Sequence, residues 1–160
     1  MPPPDELVKV FFRLEQDADG WPPVSSESLW ARPAGPNEFV LDNVPWWVRG
    51  VACGDRVRAE LDLSGALEFR EVVESSGRYT IRVIPYGDDP AADLVRRVND
   101  EFATLGAEAE SMIDGAAVIL ALDIPPTAQL AEIKRRLQNG EAAGRWAYEE
   151  GCIDDRWSSL

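Results

Sequence analysis

The 160-residue sequence contains no histidine. Within one chain this excludes Ser-His-Asp and Cys-His catalysis, imidazole metal sites and histidine proton shuttles. Cysteine is almost as scarce. Cys53 and Cys152 are too few for a cysteine-rich zinc site, and with no export signal both are expected as reduced, inert thiols. A phosphate-binding glycine loop ending in Lys-Ser or Lys-Thr is also missing. No metal or cofactor is expected. Long apolar runs are lacking too: the longest, Ala116 to Leu122, falls far short of the ~20 residues that span a bilayer. The start, Met-Pro-Pro-Pro-Asp-Glu, has neither a basic region nor an apolar segment. No spanning helix and no secretion signal are expected, and the cytoplasm is the expected compartment.

Positive charge is in short supply: 16 Lys plus Arg face 29 Asp plus Glu, for a net charge of −13. Binding to a phosphate backbone depends on clustered cations, so direct nucleic-acid binding is disfavoured. The acidity serves solubility, or steers the protein toward a basic partner. A hydrophobic fraction of 45% and a charged fraction of 28% are those of a folded globular chain. A chain of this length buries roughly 70% of its unfolded surface, enough for a full core.

The first half reads as β-structure. Val8, Val10, Phe12 and Leu14 alternate with other residues, as do Val57, Ala59, Leu61 and Leu63, which places each set on one strand face. Gly65, in the turn Asp62 to Ala66, allows a hairpin into a strand from Leu67 to Val73. The apolar phase slips at Val72-Val73, the mark of a bulge or a strand end. Further strands are expected at Ser28 to Arg32, Glu38 to Asp42 and Arg78 to Ile84. Together they suggest a small antiparallel barrel or a curved sheet over residues 1–77.

From Arg78 onward the period changes. Asp89 is placed to cap, and Pro90 to start, a helix on which Leu94, Val98, Phe102 and Leu105 share a face, with Gly106 ending it. The stretch Ala116 to Ile124 reads as a central strand. Thr127 then caps a second helix carrying Leu130, Ile133 and Leu137 and ending near Gly140, and Arg145 to Glu149 supplies a last strand. The expectation is an α+β fold: the β-rich part followed, over residues 78–155, by a βαβαβ layer of ferredoxin-like or related type with two helices on one face, in one cooperative unit. Both ends, Met1 to Pro4 and Arg156 to Leu160, read as frayed tails.

The densest unusual segment is Leu41-Asp42-Asn43-Val44-Pro45-Trp46-Trp47-Val48-Arg49-Gly50. In extended chain, neighbours point to opposite sides, so one of Trp46 and Trp47 would face out beside Asp42 and Arg49, as in a binding hot spot. The competing reading packs both rings inside. Glu27, Asp42 and Asp55 are the carboxylates nearest these aromatics; they are read as solvated surface or, as a pair with one raised pKa, as an acid and a base. Trp30 and Trp21 add aromatic surface, and Arg82 is available for a ligand carboxylate or phosphate.

The motifs Glu27-Ser28-Leu29-Trp30, Leu41-Asp42-Asn43-Val44-Pro45, Gly54-Asp55, Ser76-Gly77-Arg78-Tyr79-Thr80-Ile81-Arg82 and Glu150-Gly151-Cys152, in this order and spacing, resemble an uncharacterised bacterial family, domain of unknown function 4265. The resemblance implies a bacterial, cytoplasmic, stand-alone domain and brings no catalytic residue. Three functions fit the sequence. The first is a non-catalytic binding protein of immunity or regulatory type, meeting a protein partner, a basic one by charge, through Trp46, Trp47, Arg49, Asp42, Asn43, Glu27, Trp30 and Arg82. The second is a small-molecule sensor, and the third a carboxylate-based enzyme. Oligomeric state does not follow from the sequence.

Overall fold

The computed structural model describes residues 6–115 and 117–160; the expectation for Met1 to Pro4 lies outside them. The chain divides between Gly77 and Arg78 into two compact units. No helix among the described residues is long and apolar enough to cross a membrane.

The first unit is a barrel of five strands: β1 (Val8–Arg13), β2 (Ser26–Gly35), β3 (Glu38–Leu41), β4 (Arg56–Leu61) and β5 (Leu67–Glu74). Each strand runs antiparallel to the one before it. With an odd number of alternating strands the first and last point the same way, so β1 and β5 close the barrel as a parallel pair, Val10 opposite Leu67. The period-two pattern fills the interior with Val10, Phe12, Leu29, Ala31, Phe39, Leu41, Val57 and Ala59. Burying a side chain the size of Phe12 contributes about 1.5–3 kcal/mol. The phase slip is a bulge: Val72 faces Val57 and Glu74 faces Arg56, which leaves Val73 over, and a second shift leaves Arg70 over. In the β4–β5 turn Asp62 accepts hydrogen bonds from the amides of Ser64 and Ala66, and Gly65 takes φ +86°.

The second unit contains β6 (Tyr79–Pro85), α1 (Ala91–Ala103), β7 (Glu108–Asp114), β8 (Ala117–Ile124), α2 (Leu130–Ala142), β9 (Trp146–Cys152) and a short α3 (Asp155–Ser158). The sheet order β7-β8-β6-β9, all antiparallel, is the ferredoxin-like split βαβ arrangement. Val98 and Phe102 of α1 and Ile133 and Leu137 of α2 share one core with Ile81, Val83, Leu120 and Leu122 of the sheet. The fold is therefore α+β, with the barrel preceding this layer.

Several local expectations are corrected. Strand β7 was not foreseen, because Glu108-Ala-Glu-Ser-Met-Ile-Asp is a largely exposed edge with little apolar alternation; the unit is βαββαβ. Asp89 does not cap α1, whose N-cap is Pro90; its carboxylate meets Arg97 at 2.7 Å instead. Thr127 does not cap α2, whose N-cap is Gln129. Helix α2 ends at Ala142, near Gly140 as expected, and the glycine itself is needed because the Trp146 ring occupies the space a side chain would take. Residues 156–160 are not a frayed tail. Asp154 accepts from the Trp157 amide and caps α3, and Trp157 is fully buried against Tyr79.

Candidate functional site

The tryptophan segment lies at the end of the barrel where β1, β3 and β5 finish. It is not extended chain: residues 42–55 form bends and turns, so the alternation that would turn one ring outward does not operate. Val44, Pro45, Val48, Val51 and Ala52 are buried, and Trp46 and Trp47 are both half-buried.

Acidic side chains hold this loop through its main chain. Glu27 projects from β2 and is buried. One carboxylate oxygen accepts from the Trp46 amide at 2.6 Å; the other accepts from Trp47 and Val48, both at 2.9 Å. Asp55, 2% exposed, accepts from the amides of Ala52 at 2.9 Å and Ser76 at 2.8 Å. Asn43 accepts from the Trp30 amide at 2.9 Å. Bonds from the backbone fix a carboxylate's position and occupy its lone pairs, so Glu27 and Asp55 are structural clamps. The solvated-surface reading of these two acids is overturned. Asp42 is an exposed carboxylate paired with Arg32 at 3.4 Å.

Around Trp47 there is a groove of about 340 Å³, lined by Arg13, Leu14, Glu15, Asp17, Trp21, Pro22, Val48 and Arg49 as well as Trp47. Trp21 and Trp47 meet edge to face, 5.3 Å between centroids, a favoured aromatic geometry. Asp17 accepts from the Trp21 amide and positions that ring. Trp30 is elsewhere, on the outer wall of the barrel, 44% exposed with the Lys9 ammonium 4.8 Å over its ring. Arg82 is in the second unit, 2% exposed and paired with Glu149 at 2.5 Å. Gly151 makes room for it, since a Cβ there would approach the guanidinium to 2.7 Å. The eight candidates therefore do not make one site. Trp47 and Arg49 line the groove, Glu27 and Asn43 hold the loop and the Trp30 strand, and Arg82 has a separate ion pair.

Arg13, Glu15 and Asp17 were missed as groove residues. They lie thirty or more positions from Trp47, and no local pattern links the two segments. The half-buried Cys53 and Cys152 form no disulfide. No group of three or more Cys, Asp or Glu among the described residues is arranged to hold a metal ion.

A family profile described as "Domain of unknown function (DUF4265)" matches residues 27–148. The chain belongs to this family. The matched DUF4265 region runs from the Glu27 clamp to Tyr148 in β9 and so takes in part of each unit. A crystal structure of a hypothetical protein from Neisseria gonorrhoeae is similar, with TM-score 0.69 and 20% identity over 92% of this chain and 96% of that one. At that identity the likeness is one of fold. No curated protein matches the sequence.

Proposed function

We propose that this DUF4265 protein is a non-catalytic binding protein of the bacterial cytoplasm, of regulatory or immunity type, whose partner is a basic protein. The observation that carries the reading is the groove beside the Trp21–Trp47 pair. Its two rings offer large, rigid contact area, and the polar residues at its rim suit a protein interface. The carboxylates that an acid–base mechanism would have used are engaged otherwise, Glu27 and Asp55 by main-chain amides and Asp42 by Arg32. A net charge of −13 speeds encounter with a cationic partner and makes it salt-dependent.

The test is capture of a partner from lysate of the source organism, then calorimetric titration of that purified partner with wild type, Trp47→Ala and Trp21→Ala, each verified as folded by circular dichroism. Loss of a hot-spot ring is expected to weaken binding by about thirtyfold. Unchanged affinity in both variants would remove the groove from the interface.

A further inference from the structure

At the opposite end of the barrel, where β1, β3 and β5 begin, lies a half-open cleft of about 690 Å³. We infer that it is a binding site for a small amphipathic carboxylate, an aliphatic acid whose apolar body lies in the cleft and whose carboxylate meets Lys9. The lining is mainly apolar, with Phe11, Phe39, Leu61 and Leu67 its larger side chains. Leu61 is 68% exposed at the rim. Volume and lining are those of small-ligand sites, in which a few polar groups fix the orientation of an otherwise apolar molecule.

Charge decides which amphiphile fits. Lys9 is the sole ionisable side chain among the described residues that line the cleft. Its ammonium lies over the Trp30 ring and meets no carboxylate of the described residues. That is unusual in this acid-rich chain, where Arg13 pairs with Glu68, Arg32 with Asp42 and Arg56 with Glu38 on the same barrel. The ring holds the cation without using its hydrogen-bond donors. A second copy of the chain would bring another −13 against this face, and repulsion opposes that occupant. The cleft and the Trp21–Trp47 groove are at different ends of the barrel, so this inference does not rest on the proposed protein partner.

The test uses the full chain, isotope-labelled, titrated with sodium decanoate below its micelle concentration and followed by amide chemical shifts. Saturable shifts confined to residues 8–11, 28, 33–39 and 61–67 are expected. Decyltrimethylammonium, with the same tail and the opposite charge, is expected not to bind. Lys9→Gln removes the charge-assisted hydrogen bond and is expected to weaken decanoate about tenfold. Ser28→Trp places a ring at the lining on an exposed strand position that tolerates it, and is expected to block the cleft. The inference is overturned by any of three results: no saturable shift, equal binding of the two amphiphiles, or an unchanged affinity in Lys9→Gln. Concentration-dependent shifts of the same amides without ligand would also overturn it, by assigning the cleft to a second copy.

Discussion

Replacing Glu27 with alanine leaves the amides of Trp46, Trp47 and Val48 without their shared acceptor. A hydrogen bond to a charged acceptor contributes about 1.5–3 kcal/mol when dry and less where water replaces the partner. The Val48 bond is buried, so we assign it about 2 kcal/mol. The other two are partly buried and are assigned about 1 kcal/mol each, for a total near 4 kcal/mol. Glu27→Gln keeps one acceptor oxygen. Set toward Trp47 and Val48, it would still lose the Trp46 bond and the charge, at a cost of about 2 kcal/mol. Urea unfolding with linear extrapolation measures both, and amide hydrogen exchange locates the effect. Protection should fall first at residues 46–48. An alanine variant that costs under about 1 kcal/mol, with those amides still protected, would refute the clamp.

Three further predictions concern the second unit. Gly140→Ala should destabilise by about 2 kcal/mol in thermal unfolding: alanine favours a helix by about 1 kcal/mol, but its Cβ must displace the buried Trp146 ring; a raised Tm would show that the ring yields freely. Trp146→Phe should cost about 1 kcal/mol more than Trp157→Phe, because Trp146 Nε1 donates to the Leu137 carbonyl at 3.0 Å whereas Trp157 Nε1 is buried with no partner among the described residues; equal losses by calorimetry would contradict this. Hydrogen bonds from Arg135 and Arg136 hold Glu132 at about 2, down from 4.5. Since the folded-state value is the lower one, its stabilising effect is present above pH 4.5 and is lost as pH falls toward 2; NMR titration should show that midpoint, and Arg135→Gln should raise it.

The tyrosines bear on the alkaline side. Burial and the neighbouring Asp154 carboxylate raise Tyr79 above 10, so the stability of its buried neutral phenol is present below pH 10 and is lost as pH rises through the folded-state value. That contact joins β6 to the capped C-terminal turn. A turn of four residues carries almost no periodicity, and Trp157 in Asp-Asp-Arg-Trp-Ser-Ser-Leu reads as a tail until a core is available to receive it.

What the sequence alone determined is local. Alternation identified the barrel's inner face at Val10 and Phe12 of β1 and at Val57 and Ala59 of β4, but Leu61 and Leu63, expected on the same face, are exposed where the strand runs out into its turn. The three- and four-residue spacing of Leu94, Val98 and Phe102 identified α1, and the apolar stretch ending at Ile124 identified the central strand β8. The absence of histidine removed whole classes of chemistry without any structure. The tertiary structure decided what depends on distant neighbours. Edge strand β7 is exposed and nearly patternless, and only pairing with β8 makes it a strand. The sequence near Gly140 marks the end of α2, but that the Trp146 ring occupies the space beside it is seen only in the fold. Glu27 and the 46–48 amides, nineteen to twenty-one positions apart, meet because β2 and the loop after β3 share one end of the barrel. A hydrogen bond between such distant positions leaves no periodic trace in sequence, so the clamp, the Trp21–Trp47 groove and the Lys9 cleft belong to the fold.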